Sequence, residues 1–346
     1  MNTEFAGIIV TYGLTLILAI ILGKYIAKVF SGEKTILDFM KPLERLIYKL
    51  SGINPEREMN WKQHMVALLC INLVWFVYAF VMFLIQGHLP LNPDHNPSMT
   101  SDLAFNTDIS FIVNCNLQDY SGETGVTYFT QLFVLTFLHF VSAATGIAAL
   151  AILFRALKEK TTDKLGNFFQ YLTITCTRIL LPLAIIVAVL LVFHGTPASY
   201  EGHATVITMQ GDTQQVSRGP AAAMIAIKHV GTNGGGWFNA NSAHPLENPD
   251  YFTNMLELIA QVLLPIGLVF ALGFYLNKRK LALVIFGVMT VGMFMFLIPT
   301  ITGEMHGNPA ITAIFISRAS IFRPINSGVR PTISPEIKTA MIKKIK

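Results

Sequence analysis

The chain has 346 residues, 53% hydrophobic and 13% charged, about half the ~25% charged share of a soluble domain; with a mean hydropathy of +0.53, it is expected to be an integral membrane protein. The net charge of +5 is local: residues 311–346 hold seven Lys or Arg and one acid, leaving 18 basic and 19 acidic groups elsewhere, so nucleic acid is excluded as a partner. Three scattered cysteines (Cys70, Cys115, Cys176) with no C-x-x-C pair exclude a disulfide framework and a thiolate zinc site.

A bilayer core of about 30 Å takes roughly 20 apolar residues as helix. Six stretches qualify: 5–24, 64–86, 126–154, 171–194, 252–276 and 281–302. The first lacks a basic n-region and a small-residue cleavage site, so it is expected to be retained rather than removed as a signal peptide. Lys and Arg concentrate on the cytoplasmic side of short loops. They populate 30–63 (Lys34, Lys41, Arg45, Lys49, Arg57, Lys62), 155–166 and Lys278-Arg279-Lys280, whereas 87–124 has none and 195–250 has only Arg218 and Lys228. The expected topology is multi-pass, with an extracytoplasmic N-terminus and both long loops outside. The basic tail 311–346, broken by Pro324, Pro331 and Pro335, falls on the wrong side of this scheme.

Each long loop holds a half-length helical stretch followed by an Asn- or Gly-rich end. The first runs over Ser101–Val113, with Ser101 and Asp102 placed to cap it, and ends at Asn114-Cys115-Asn116-Leu117-Gln118. The second runs over Gly219–Val230, with Pro220 at N1, and ends at Gly231-Thr232-Asn233-Gly234-Gly235-Gly236. The two ends lie about 119 residues apart, an internal repeat of helix, loop and helix. A short helix stopping inside a membrane aims its negative end at what lies there, which favours a cation. Irregular backbone is tolerated there only where it is buried in protein or lines a cavity. Glycine lets carbonyls turn one way, and such carbonyls replace the hydration shell of K⁺. Both ends lack carboxylates, which fits K⁺ better than Ca²⁺ or Mg²⁺. Without a following Lys-Ser/Thr, Gly234–Gly236 is no nucleotide loop.

At these loops the sequence resembles the potassium-binding A subunit of the bacterial Kdp potassium-transporting P-type ATPase. The resemblance rests on Leu91-Asn92-Pro93, Asp102–Thr107, Ser110-Phe111, Asn114–Gln118 and Tyr120–Glu123 in the first loop. In the second it rests on Gly231–Ser242, His244-Pro245 and Glu247-Asn248-Pro249, with Arg57–Gln63 on the basic side. It covers about residues 1–310 and implies an all-α polytopic membrane protein of K⁺-channel-like helix–pore loop–helix repeats, two complete and a third begun. The implied organisation is an extra N-terminal helix (1–29), a cytoplasmic loop (30–63), two units (64–158 and 167–276), the first helix of a third (279–302) and an aberrant tail (311–346). The implied K⁺ ligands are backbone carbonyls of Val113, Asn114, Cys115 and Asn116 and of Thr232, Asn233, Gly234 and Gly235, with Gln118 at the pore mouth.

The resemblance further implies K⁺ as the transported ion, no organic cofactor, and assembly with an ATP-hydrolysing P-type B subunit, a C subunit and a small peptide subunit in membrane lipid. This chain itself is expected to be non-catalytic. Val113, Cys115 and Leu117 stand where some members carry Thr, Thr and Trp, and Trp237 stands for a Phe; backbone ligands are expected to survive such changes. Two loops do not close a fourfold filter, so the expected state is a C-terminally incomplete subunit. A passive channel built from a homodimer and a nonfunctional frameshifted fragment are the alternatives.

Other polar residues receive structural readings. Asp163-Lys164-Leu165-Gly166 echoes a phosphorylation motif by coincidence. His139 is expected to pack through a hydrogen bond, and Arg178 to snorkel. Glu257 is expected to be solvated or placed at a helix N-terminus, and Ala143, Ala144 and Gly146 to pack against other helices.

Overall fold

The computed structural model describes residues 3–305 except 160, 210 and 240. Its elements in chain order are α1 (Thr3–Phe30), α2 (Lys41–Ser51), α3 (Trp61–Ile85), α4 (Ser101–Ile112), the single turn α5 (Gly122–Gly125), α6 (Thr136–Lys158), α7 (Phe168–Thr175), α8 (Leu181–Phe193), α9 (Ala221–Val230), α10 (Tyr251–Tyr275) and α11 (Arg279–Met305). A π turn over Thr130–Leu135 leads into α6, and another over Cys176–Leu180 joins α7 to α8. Six helical stretches among the described residues are long and apolar enough to cross a membrane: 6–30, 61–88, 130–158, 168–193, 251–275 and 279–303. This is an α-helical, multi-pass membrane protein, and all six spans fall where the hydropathy of the sequence puts them. Strands β1 (Ala204–Ile207) and β2 (Thr213–Val216) form an antiparallel hairpin in the loop after α8, an addition to the all-α expectation. The charge reversal and basic character expected of 311–346 lie outside the described residues.

The chain divides into two units, Met1–Phe286 and Gly287–Lys346; the described residues of the second are the later part of α11. In the first unit α6 is the central helix. Leu138, His139, Ala144 and Ala148 on it are fully buried. Ala143 and Ala144 pack as expected of small residues between membrane helices. Gly146 does not: a Cβ there would meet nothing within 4 Å, because that face of α6 lines a cavity. Helix α1 runs along α10, where a Cβ at Gly23 would lie 2.7 Å from the Gly267 carbonyl oxygen. Only glycine permits that approach of backbones.

Connections after α1 and after α6 meet at one end of the unit. Asn167 donates from Nδ2 to the carbonyls of Asn54 and Arg57, at 3.1 and 2.9 Å, and Met59 exchanges backbone bonds with Leu165 and Gly166. The Asp163–Gly166 turn is thus a structural bridge. Connections after α3 and after α8 meet at the opposite end, where the Tyr128 hydroxyl donates to the Glu201 carbonyl (2.8 Å) and His203 Nδ1 pairs with Asp94 (2.7 Å).

Arg178 departs from the snorkelling expectation. Its Nε and one terminal nitrogen donate to both carboxylate oxygens of Glu44 (2.6 and 2.5 Å), and the other terminal nitrogen reaches Asp38 (3.0 Å). Thr177 also donates to Glu44 (2.9 Å). A guanidinium among apolar helices is stabilised better by a buried bidentate carboxylate than by stretching to water, and α2 supplies that carboxylate.

Candidate functional site

Two short helices sit between the long ones, α4 packed on α3 and α6, and α9 packed on α6, α8 and α10. By helical rise they are about 18 and 15 Å long, roughly half a bilayer core. Helix α4 is flanked by Thr100 at its N-cap, one residue ahead of the expected cap, and makes no side-chain cap bond there. Pro220 occupies the N-cap of α9 rather than N1. The C-terminal ends carry the chemistry. After Val113 (φ −84°, ψ 7°) the backbone enters the left-handed region at Asn114 (φ 60°) and again at Asn116 (φ 53°). After Gly231 it does so at Thr232 (φ 54°) and Gly235 (φ 62°). Asn tolerates this region and Gly adopts it freely; Thr232 is the strained position, held by its N–H to the His229 carbonyl at 3.1 Å.

These turns tie the amide hydrogens back into the helices. Cys115 and Asn116 N–H both donate to the Ser110 carbonyl (3.0 Å each), and Asn233 N–H to the Lys228 carbonyl (2.9 Å). The carbonyls are left over. Among the described residues, those of Val113, Asn114, Cys115, Asn116, Thr232, Asn233 and Gly235 accept no hydrogen bond. Gly234 differs: its carbonyl accepts from His139 Nε2 at 3.1 Å, since a carbonyl can only accept. His139 is therefore the hydrogen-bonded packing residue its position suggested, and the tautomer with the proton on Nε2 follows.

The two ends touch each other. Asn233 Nδ2 and Ser142 Oγ (2.9 Å) both donate to Asn114 Oδ1, linking two Asn residues 119 positions apart. A Cβ at Gly234 would lie 3.1 Å from the Cys115 carbonyl oxygen, and one at Gly235 3.0 Å from that of Asn116. Gln118 Nε2 donates to the Gly236 carbonyl (3.2 Å) and its Oε1 accepts from Asn241 (3.2 Å), crossing the gap above. Below, Val113, Asn114, Gly231 and Thr232 open on a cavity of about 600 Å³ whose remaining walls come from α3, Ile112 at the end of α4, α6 and α10, with no charged residue in its lining. Two helix C-termini thus bear on one uncharged cavity, an arrangement that favours a cation without a carboxylate to hold it.

Behind the second end lies a charged cluster that sequence reasoning missed. Lys228 forms an ion pair with Glu247, both buried; His229 Nε2 is 3.2 Å from Glu257 and 3.8 Å from Glu247. Burial alone would raise the Glu247 pKa, but His229 and Lys228 hold it below the ordinary carboxylate value. His229, Glu247 and Glu257 stand close enough to bridge a metal ion; the Lys228 ammonium already serves as a resident cation on Glu247. Glu257 is 3% exposed and faces His229, so its solvated reading is corrected. The available signal was Lys228 itself, since a lysine in the apolar run Ala221–Val230 demands a buried carboxylate.

Residues 9–325 match the family model described as the potassium-transporting ATPase A subunit. The chain belongs to this family. It is 63% identical to the potassium-transporting ATPase potassium-binding subunit of Flavobacterium johnsoniae and 53% identical to that of Phocaeicola vulgatus; each alignment covers 92% of this chain and 56% of the relative. Similarity extends to the corresponding subunit of Alicyclobacillus acidocaldarius, 50% identical over 76% of this chain and 47% of that one. The chain therefore spans a little over half the length of the first two. The match to the family ends at residue 325, within the basic segment 311–346.

Proposed function

We propose that the chain supplies two walls of a K⁺-selecting path in an ATP-driven potassium uptake complex. Carbonyls of Val113–Asn116 and of Thr232, Asn233 and Gly235 are the ligands, with Gln118 at the mouth, and the Gly234 carbonyl is held by His139 as part of the scaffold. Potassium enters from the outer face of a bacterial inner membrane, toward which the N-terminus points, and passes to a P-type ATPase B subunit that hydrolyses ATP. A C subunit and a small peptide subunit complete the assembly. The observation that carries this reading is the convergence of two loop ends with seven unused carbonyls above an uncharged cavity. Backbone oxygens with no protein donor are free to replace the hydration shell of an ion.

The test is Gly235→Asp in the complex assembled with its ATPase subunit. A carboxylate there adds charge to the site and crowds the Asn116 carbonyl. The K⁺-over-Na⁺ preference of ATP hydrolysis should fall about tenfold, or ~1.4 kcal/mol. Unchanged selectivity would remove Gly235 from the ion path.

A further inference from the structure

Helix α2 presents three separate faces. With about 100° between successive residues, Glu44 and Tyr48 turn one way, toward the bundle. Glu44 is 4% exposed and holds Arg178 and Thr177, and Asp38 just ahead of the helix reaches Arg178 as well. Lys41, Arg45 and Lys49 follow at i, i+4 and i+8 as an exposed basic row. Leu43, Leu46 and Leu50 form an exposed apolar row on the side away from Glu44, at 42, 51 and 78% exposure, and Ile36 and Phe39 extend it at 87 and 70%.

The anchor decides where these faces sit. Thr177 and Arg178 lie within the span 168–193, and Tyr25, within the span 6–30, donates to the Arg178 carbonyl at 3.0 Å. Helix α2 is therefore fastened against membrane-crossing helices. It lies at their basic end, because the same connection docks on Asn167 at the start of α7. An apolar row pointing away from the bundle at that level meets acyl chains, and a basic row beside it meets headgroups. Arg45 and Lys49 form no ion pair with a described residue, and Lys41 pairs only with part-exposed Asp38. The row is thus available for an external anion.

We propose that α2 is an in-plane binding surface for acidic phospholipid. Its leucine row seats in the acyl boundary of the leaflet at the basic end of the bundle, and Lys41, Arg45 and Lys49 bind the phosphate groups of anionic lipid headgroups. The occupant is acidic lipid rather than another protein because the two rows run parallel and match the apolar and anionic layers of a leaflet. The Glu44–Arg178 pair couples this surface to the fourth span. The assignment needs only the membrane-spanning fold and stands or falls independently of the ion path.

The test places bimane on Leu46→Cys in the full chain, with the three native cysteines replaced by serine, in phosphatidylcholine nanodiscs. Doxyl-labelled phosphatidylcholine or doxyl-labelled phosphatidylglycerol is added at equal mole fraction. The expected result is quenching by both, several-fold stronger with phosphatidylglycerol. The triple variant Lys41→Gln, Arg45→Gln, Lys49→Gln should lose the preference and keep the phosphatidylcholine quenching, which shows that the helix remains seated. Equal quenching by the two lipids in the parent chain would overturn the proposal. So would the absence of lipid quenching, which would place water or protein against the leucine row.

Discussion

The two loop ends share a layout and differ in how they are held. Helix α9 is buried at nine of its ten residues, and behind its end stand Lys228, His229, Glu247 and Glu257, with fully buried Trp237 and Phe238 closing the loop. Helix α4 is buried at only five of twelve, and Val113, Cys115 and Leu117 at its end are exposed. Its end is held by helix-terminal amide bonds and by the contacts of Asn114 and Gln118 to the other loop. One loop is braced by its own buried charges, and the other leans on the first. Changes in the brace should therefore disturb both ends, whereas changes in the first loop should remain local.

The largest effect is expected from Lys228→Met. It leaves Glu247 buried without its cation, a class of change that costs about 3–5 kcal/mol, and the loss should appear as a large drop in the unfolding midpoint in detergent. Removing both charges with Lys228→Met and Glu247→Leu should recover part of that loss. If the single variant melts like the parent, the brace does not exist. Gly122→Ala comes next. Its Cβ would lie 1.9 Å from the Trp237 carbonyl oxygen, so backbone must move where the loops abut, costing about 1–3 kcal/mol as overpacking does. A fully tolerated alanine would contradict the close approach of the two loops.

Asn114→Ala should cost about 1–3 kcal/mol by leaving the Ser142 hydroxyl and one of the two Asn233 amide hydrogens unmet, the other keeping Ser142 Oγ at 3.3 Å. Asn233→Ala should cost a similar amount, and the double variant less than the sum, because both singles break one link. Strict additivity in a thermal-shift cycle would separate the loops. The smallest effect concerns Asp250, which caps α10 by accepting from the Thr253 N–H (2.8 Å) and pairs with His194 Nδ1 (2.6 Å). The Thr253 amide, and after it His194, hold its pKa below the ordinary value. Its contribution is thus fully present above the ordinary aspartate range and is lost as pH falls through the depressed value. Asp250→Ala should flatten the acid side of the stability profile and leave the cavity and both loop ends unchanged.

Much of this was legible in the sequence. Six spans follow from apolar length, and the half-length helices from the punctuation by Ser101, Pro220 and the Asn- and Gly-rich ends. At the loop ends the sequence showed glycine's access to left-handed backbone, which Gly235 uses; that Asn114 and Asn116 adopt it too was not read. What escaped was pairing across sequence distance. Arg178 read as a snorkelling cation because its partner Glu44 lies 134 residues away on a short helix in a polar loop. Glu257 read as solvated or helix-terminal because nothing local shows that His229 faces it. Gly146 read as a packing residue because composition does not distinguish a helix face against a neighbour from one against a cavity. Electrostatic and cavity partners are set by tertiary contact, and a single sequence carries only the residue types that need them.

The most direct test of the central claim is to locate a heavy K⁺ substitute. Thallium(I) soaked into crystals of the complex should give an anomalous peak at the unused carbonyls of 113–116 and of Thr232, Asn233 and Gly235, displaced by excess K⁺ and not by Na⁺. A peak at His229, Glu247 and Glu257 alone, or no peak at the loop ends, would contradict the account.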